Sequence, residues 1–209
     1  MMKNIVVLVS GGGTNLQALI DAEKSGLIKN GKITCVISSN PGAYALERAK
    51  KNNISTEVIR RKDYSDFNAY DKSLTELLLS KNADLIVLAG FMTILGKTVI
   101  NEFRNRIINI HPALIPSFCG EGYYGLKVHE KALEKGVKLT GATAHFVTEI
   151  CDGGPIIIQK AVEIKNGDTP EILQKRVMEE AEWKILPKAV SLFCEDKIKV
   201  IGNKTEIVE

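Results

Sequence analysis

The chain has 209 residues, of which 44% are hydrophobic and 25% charged, a balance typical of one globular domain. Its net charge of +3 is small, and the densest basic runs, at residues 50–51 and 60–62, are too short to predict a nucleic-acid surface. The four cysteines are widely separated and lack metal-ligand spacing, so we expect reduced thiols and no metal site.

Residues 5–9 form the first apolar run of the chain. The run is far too short to cross a bilayer, and it leads into glycines rather than a cleavage site. We therefore expect a cytoplasmic protein with no membrane partner.

The same run is typical of a buried strand, and it is followed by a glycine turn at residues 10–15 and then by a helix. This arrangement directs free backbone N–H groups and the positive end of a helix toward an anion. It is neither a Walker loop nor a dinucleotide fingerprint, because no Gly-Lys-Ser/Thr follows and Leu16 occupies the third glycine position. The turn predicts a phosphate-monoester site; a purely structural tight turn is the alternative.

Further strands are predicted at residues 33–38, 54–59 and 83–89, with helices at about 43–51 and 66–79 between them. Strands that alternate with helices predict an α/β fold with a doubly wound, mostly parallel, Rossmann-like sheet. The apolar residues of the second helix are expected to face inward: Phe67, Tyr70, Leu74, Leu77 and Leu78.

Residues 91–95 stay apolar beyond the end of the fourth strand. Such a segment either packs beneath a loop or lines a site for a flat, partly aromatic ligand at the strand edge.

Residues 107–111 predict a short buried strand that ends at Pro112, because proline cannot donate to a sheet ladder. Asn109 and His111 then lie on one face at the carboxyl edge, where open α/β sheets bind ligands. An amide can hydrogen-bond a reacting carbonyl, and an imidazole can transfer a proton near neutral pH. The alternative is a strand end whose polar side chains only satisfy loop backbone.

Residues 112–126 are rich in glycine and tyrosine, which predicts either a mobile lid or a plain connector. The Ile115–Pro116 bond is a candidate cis peptide. A helix is expected to begin at His129 and to reach about Lys135, with His129 as a surface or capping residue.

Residues 138–147 and 156–164 predict two long antiparallel strands, since no crossover helix separates them. The link between them contains Asp152, which is either a turn former or a carboxylate delivered beside His111. A long helix that Pro187 kinks or splits, and a small β-ribbon from Lys197 to Glu209, complete the chain.

Four motifs resemble those of the phosphoribosylglycinamide formyltransferase family, in the family's order and at family-like spacing. They are Ser10-Gly-Gly-Gly-Thr-Asn-Leu16, Leu88-Ala-Gly-Phe-Met-Thr-Ile-Leu95, Asn109-Ile-His-Pro112 and His145-Phe-Val-Thr-Glu-Ile-Cys-Asp-Gly-Gly-Pro155. The resemblance covers nearly the whole chain. The Asn-x-His pair and the later Asp-x-Gly occur throughout the formyltetrahydrofolate-using enzymes, whereas the glycine loop and the chain length point to the ribonucleotide enzyme.

The resemblance implies transfer of the formyl group of 10-formyltetrahydrofolate to the amine of 5-phosphoribosylglycinamide, a step of de novo purine biosynthesis. It implies one formyltransferase domain over residues 1–209, with a phosphate-binding half (1–100) and a catalytic and folate-binding half (101–209). The protein is expected to act as a monomer or homodimer on these two small molecules, with the folate as co-substrate and without metal or nucleic acid.

The resemblance also implies roles for individual positions. The substrate would be bound by Gly13, Thr14 and Asn15 at its phosphate and by Glu182, counted back from Pro187, at its ribose. The folate would be bound by Met92, Thr93, Ile94, Leu95 and Asn109. The catalytic side chains would be Asn109, His111 and Asp152. Asn109 and protonated His111 would stabilise a tetrahedral oxyanion, while Asp152 would raise the pKa of His111 and relay the proton of the amine.

Two departures from the family pattern affect these roles. Phe67 stands near the position at which the family often has a folate-contacting arginine, and one extra residue separates Val177 from Pro187 compared with short members. The rival activities are a formyltetrahydrofolate deformylase with water as acceptor and a non-catalytic phosphometabolite-binding protein. A methionyl-tRNA formyltransferase would need an RNA-binding domain, for which the short segment after Lys197 leaves no room.

Overall fold

A seven-stranded sheet forms the centre of the protein, whose computed structural model describes residues 1–208. The strands are β1 (Lys3–Val9), β2 (Gly31–Ser38), β3 (Ser55–Val58), β4 (Leu85–Leu88), β5 (Ile107–His111), β6 (Leu139–Phe146) and β7 (Ile156–Glu163). Their order across the sheet is β3-β2-β1-β4-β5-β6-β7. The first five strands are parallel, while β6 and β7 pair antiparallel. The predicted doubly wound, mostly parallel sheet with an antiparallel C-terminal part is confirmed.

Helices cover both faces of the sheet. They are α1 (Thr14–Lys24), α2 (Tyr44–Lys51), α3 (Phe67–Ser80), α4 (Lys97–Glu102), α5 (Leu126–Lys135), α6 (Pro170–Val177) and α7 (Trp183–Cys194), with a 3-10 turn at Arg61–Asp63 and a π-helical turn at Met178–Glu182. Side chains alternate along β1, so that Ile5 and Val7 join one core cluster and Val6 the other. All three are fully buried, because a parallel strand is covered on both sides.

The helical residues of the first core cluster come mainly from α1, α2, α6 and α7, and those of the second come from α3 and α4. In the sheet, β2 and β3 lie on one side of β1, and the chain then crosses back to place β4 on the other side. The carboxyl ends of β1 and β4 consequently flank the point at which the strand order reverses, where ligands of open α/β sheets bind.

Two expectations for single residues are wrong. His129 is neither at the surface nor at a helix start: α5 begins at Leu126, and the His129 ring is 0% exposed. It shares the buried face of α5 with Val128 and Ala132. Phe67 does not face inward either, since it is the first residue of α3 and is 38% exposed.

The C-terminal helix is interrupted, but not by proline. Pro187 lies within α7, and the regular α-helix is broken earlier, at the π-helical turn Met178–Glu182. After α7, the predicted ribbon is confirmed as the hairpin of β8 (Ile198–Ile201) and β9 (Lys204–Ile207). Glu209, the last residue of the predicted ribbon, lies outside the described residues. No helix within residues 1–208 is long and apolar enough to span a membrane.

Candidate active site

Three segments that are far apart in the sequence meet at one edge of the sheet. The glycine turn follows β1, the apolar segment Phe91–Leu95 follows β4, and His111 ends β5; these strands are neighbours. The hydroxyl of Ser10 accepts a hydrogen bond from the backbone N–H of Met92 at 2.9 Å and so joins the first two segments. This edge is therefore the place at which the candidate residues converge.

The glycine turn leaves backbone open where it enters α1. Gly13 caps the helix with φ +73°, and a Cβ there would lie 2.6 Å from the Cβ of Ala45, so glycine is required by the packing of α2. A Cβ on Gly11 or Gly12 would meet nothing within 4 Å. The first N–H groups of α1 have no partner within the helix, and Arg48 donates its Nε–H to the carbonyl of Gly12 at 2.8 Å. Free amides, a helix start and a guanidinium together suit a phosphate.

Asn15 and Glu182 form a buried pair beside this turn. The Asn15 side-chain nitrogen donates to Glu182 Oε2 at 2.6 Å, and Glu182 is 6% exposed. Burial raises the pKa of Glu182 to about 6, and the bond from Asn15 opposes the rise. The Asn15 side-chain oxygen has no hydrogen-bond partner within the described residues. The pair thus retains unused hydrogen-bonding capacity next to the proposed phosphate position.

The π-helical turn accounts for the position of Glu182. A π-helical turn takes one more residue than an α-helical turn at the same place in a helix. The extra residue that the resemblance implies between Val177 and Pro187 matches the π-helical winding at Met178–Glu182, and Glu182 contacts Asn15.

The polar cluster at the end of β5 contains the predicted trio and one further residue. The Asp152 carboxylate lies 3.5 Å from His111 Nδ1 through one oxygen and 3.5 Å from His145 Nε2 through the other. His145 Nε2 lies 3.2 Å from the side-chain nitrogen of Asn109. The backbone N–H of Gly120 donates to Asp152 at 2.9 Å. Asn109 therefore connects to Asp152 through His145, which sequence analysis had not assigned to the site.

The ring protons follow from these contacts. A carbonyl only accepts, so His145 Nδ1 carries a proton that it donates to the carbonyl of Phe146 at 2.9 Å. His145 Nε2 faces both the side-chain nitrogen of Asn109 at 3.2 Å and the Asp152 carboxylate at 3.5 Å. His111 Nε2 likewise donates to the carbonyl of Phe118 at 2.8 Å, which leaves Nδ1 facing Asp152. The His145 ring thus links the Asn109 amide to the Asp152 carboxylate.

The two titratable groups of the trio, Asp152 and His111, favour opposite charge states: the carboxylate is ionised and the imidazole is neutral. Burial by itself raises the pKa of Asp152. The contacts with His145, His111 and Gly120 lower this pKa by more than burial raises it, so the carboxylate is ionised at neutral pH. Burial lowers the pKa of His111, and the neighbouring Asp152 only partly restores it. Asp152 thus acts on the pKa of His111 in the expected direction, but desolvation outweighs this attraction and the net pKa lies below its ordinary value.

Access to the cluster differs between its two sides. On one side, the carbonyl of Phe118 in the glycine-rich loop accepts a hydrogen bond from His111 Nε2 and so blocks access to this nitrogen. On another side a cavity of about 600 Å³ is lined by Ile115, Cys151, Asp152 and Asn203. Asp152 is consequently within reach of a small molecule, although its side chain is only 8% exposed.

The predicted folate-lining residues divide into two kinds. Met92 and Ile94 are 56% and 72% exposed, whereas Leu95 is 7% exposed and belongs to the core around α4. Thr93 is half-buried and lies next to the hydroxyl of Tyr70. Exposed apolar side chains beside a polar cluster form a surface suited to a flat ligand.

The formyl transferase family matches residues 3–190 of the chain. Phosphoribosylglycinamide formyltransferase of Escherichia coli (strain K12) is 40% identical over 200 residues, which cover 96% of this chain and 91% of that protein. The crystal structure of glycinamide ribonucleotide transformylase 1 from Symbiobacterium toebii is 41% identical, covers 100% of this chain and 95% of that one, and superimposes with a TM-score of 0.93. This chain belongs to the phosphoribosylglycinamide formyltransferase family.

The family is also found inside a larger protein. The chain is 42% identical over 201 residues to the trifunctional purine biosynthetic protein adenosine-3 of Bos taurus, but it spans only 19% of that protein's length. Family membership confirms the resemblance that the four motifs predict. Within the described residues of this formyltransferase, no group of three or more His, Cys, Asp or Glu side chains is arranged to hold a metal ion.

The first prediction separates the two roles of the glycine turn. Gly12→Ala places a methyl group in open space over the helix start, so we expect about tenfold weaker binding of ribose 5-phosphate with unchanged stability. Gly13→Ala forces a positive φ and a contact with Ala45, so we expect a loss of about 1–3 kcal/mol in the free energy of unfolding. Calorimetric titration and urea unfolding measure the two effects. Equal binding by wild type and Gly12→Ala would show that the open turn holds no phosphate.

The second prediction concerns the charge of Glu182. Because the folded-state pKa is raised from 4.5 to about 6, protonated Glu182 favours the fold below pH 4.5, and this contribution is lost as pH rises through 6. Glu182→Gln removes the buried charge and should raise the free energy of unfolding at pH 8 by up to roughly 2 kcal/mol, with no gain at pH 4. Urea unfolding at both values tests this, with the exposed Glu179→Gln as control. A gain of the same size at both values would rule out charge as its cause.

The third prediction tests the π-helical turn. Deletion of Glu180, an exposed residue of that turn, should restore an α-helical turn and leave both the contact of Asn15 with Glu182 and the overall stability intact. Deletion of Lys188, an exposed residue of α7, should rotate everything after it by about 100° and cost several kcal/mol. Urea unfolding and ribose 5-phosphate binding compare the two variants. Comparable damage from both deletions would contradict the proposed role of the turn.

Proposed function

We propose that this chain transfers the formyl group of 10-formyltetrahydrofolate to the amine of 5-phosphoribosylglycinamide, a step of purine biosynthesis. The observation that carries the proposal is the buried cluster of Asn109, His111, His145 and Asp152 between a phosphate-type turn and an apolar surface. Formyl transfer as the reaction class agrees with membership in the family.

Each substrate has a region of matching chemistry. Gly13, Thr14 and Asn15 would bind the phosphate through the backbone and polar side chains at the start of α1, and Glu182 would accept hydrogen bonds from ribose hydroxyls. The pteridine would lie along Met92, Thr93, Ile94 and Leu95 and reach Asn109. We further propose that residues 1–100 supply the phosphate-binding half and 101–209 the catalytic and folate-binding half.

The reaction begins with attack of the neutral amine on the formyl carbon, which forms a tetrahedral oxyanion. Asn109 donates the amide hydrogen that His145 does not use, and His111 donates its Nε2–H once the Phe118 carbonyl has released it. Both donors are neutral, so neither requires an imidazolium. Loss of one such donor commonly lowers the rate about 10²–10³-fold.

Asp152 handles the proton that the attacking amine loses. Its low pKa keeps the carboxylate ionised at neutral pH, ready to accept that proton directly or through a water. Asp152 then passes this proton to His111 Nδ1, and the ring releases its Nε2 proton to the departing folate nitrogen as the carbon–nitrogen bond breaks and the carbonyl re-forms. The protons balance, and no covalent protein intermediate forms.

The assembly and the location are part of the proposal. We propose a monomer or homodimer that acts in the cytoplasm on these two small molecules, without nucleic acid or membrane. The scattered basic residues and the four unpaired cysteines support this assignment.

The fourth prediction tests the reaction itself. Wild type supplied with both substrates should release tetrahydrofolate, and Asp152→Asn should lower kcat at least about 100-fold with little change in ribonucleotide affinity. Asp21→Asn, on the exposed face of α1, is the matched control and should keep full activity.

The rivals give other results in the same assay. Release of tetrahydrofolate without the ribonucleotide identifies a hydrolase that uses water. Binding of both ligands without product identifies a non-catalytic protein. Near-normal turnover by Asp152→Asn removes Asp152 from the mechanism.

A further inference from the structure

Two successive backbone carbonyls of the glycine turn accept hydrogen bonds from α2. The Gly11 carbonyl accepts from the backbone N–H of Ala45 at 3.1 Å, and the Gly12 carbonyl accepts from Nε of Arg48 at 2.8 Å. Ala45 lies in the first turn of α2, where N–H groups have no partner within their own helix. The glycine turn is therefore held from the side of α2 at two neighbouring peptide groups.

These two bonds also set the direction of the N–H groups that follow. In a planar trans peptide, the carbonyl of one residue and the N–H of the next residue point in opposite directions. Because the carbonyls of Gly11 and Gly12 point toward α2, the N–H groups of Gly12 and Gly13 point away from it. Nothing crowds the turn at Gly12, where an added Cβ would meet no atom within 4 Å.

Arg48 is itself held in one orientation. Its Nη1 donates to the side-chain oxygen of Gln17 in α1 at 3.2 Å, and its guanidinium lies 5.1 Å from the ring centroid of Tyr44. A planar guanidinium presents its N–H groups in a rigid fork, so the bonds to Gln17 and Gly12 fix each other's direction. Arg48 thus connects the turn to both flanking helices.

The direction of the turn's N–H groups decides how well they bind an anion. A hydrogen bond weakens steeply as its donor angle falls below about 120°. The Gly12–Gly13 peptide joins two glycines, the residues with the widest range of backbone angles, so it turns easily when its carbonyl is free. The bond from Arg48 removes that freedom before a ligand binds, and pre-organised groups bind a ligand more tightly.

We propose that Arg48 is a positioning residue for the substrate phosphate, because it holds the Gly12 carbonyl and so aims the N–H of Gly13 at the phosphate before the substrate binds. The inference rests on the proposed function, since it concerns the residue that orients the same phosphate-binding turn. Arg48 acts through the peptide group that it holds, and its positive charge is the smaller part of its effect.

Three substitutions separate the hydrogen bond of Arg48 from its charge. In Arg48→Gln, the side-chain nitrogen lies as many bonds from Cα as Nε does, so the donor to Gly12 stays and the charge is lost. In Arg48→Lys, a methylene takes that place, so the charge stays and the donor is lost; Arg48→Met loses both. Calorimetric titration with ribose 5-phosphate should show about tenfold weaker binding by Arg48→Lys and Arg48→Met, and less than about threefold by Arg48→Gln.

The matched control is Lys51→Gln, which removes a positive charge from the same helix. Lys51 is exposed and, like Arg48, lies beside the Tyr44 ring, at 5.8 Å from its centroid, so this variant should bind ribose 5-phosphate like wild type. In steady-state kinetics, Arg48→Met should raise KM for the ribonucleotide about tenfold and keep kcat within about twofold. Its affinity for tetrahydrofolate should stay unchanged, which a general loss of structure would not allow.

The possible results distinguish this inference from the proposed function. Binding near wild type by Arg48→Lys with tenfold weaker binding by Arg48→Gln would show direct attraction by the charge and overturn the positioning role. Unchanged binding by Arg48→Met, or equal weakening of both ligands, also overturns it. The expected order of affinities in a protein that forms no product from both substrates overturns the formyl-transfer proposal and keeps the role of Arg48. Absence of ribose 5-phosphate binding by wild type overturns the role of Arg48 together with the phosphate site.

Discussion

The candidate site depends on a single buried carboxylate. Asp152 has a side chain only 8% exposed, and the ionised form is held by a backbone N–H and two imidazole rings. A buried charge is costly unless it is paired and hydrogen-bonded, so these partners keep Asp152 ionised and in position. They also tie the glycine-rich loop, through Gly120, to the ends of β5 and β6. A change in any of these groups therefore affects the others.

Sheet topology brings these groups together. The strand order reverses between β1 and β4, so the helix start after β1 and the apolar segment after β4 face each other across a gap, with β5 next in the sheet. The register then sets the finer arrangement, since Asn109 pairs with His145 across the antiparallel β5–β6 ladder. Side chains of paired residues project from the same face of a sheet, which explains how an amide and an imidazole 36 positions apart come within 3.2 Å.

Local patterns were sufficient to predict the strands, most helices and the sheet class, because each buried strand is a short apolar run bounded by turn residues. They also singled out Asn109, His111 and Asp152 as candidates, with ordinary strand-end and turn residues as the alternative, and their catalytic roles came from the family resemblance. His145 was missed because its importance depends on the β5–β6 register, which a single sequence does not specify. His129 was misjudged because a polar residue at a helix start is usually exposed, whereas tertiary packing buries this one. In the sequence, the π-helical turn is indicated only by the one residue more that separates Val177 from Pro187 compared with short family members.

Two buried carboxylates of the site titrate in opposite directions, and the difference separates their roles. Asp152 has three partners that favour its charge, and its pKa falls; Glu182 has only Asn15, and its pKa rises to about 6. A carboxylate kept ionised by fixed partners can accept a proton without reorganisation, which suits proton transfer. A carboxylate short of donors is a cost to the free protein at neutral pH, and ligand hydroxyls that supply donors remove that cost. In the proposed complex, part of the binding energy at Glu182 would then come from relief of desolvation, so a residue that destabilises the empty fold would favour the bound ribose.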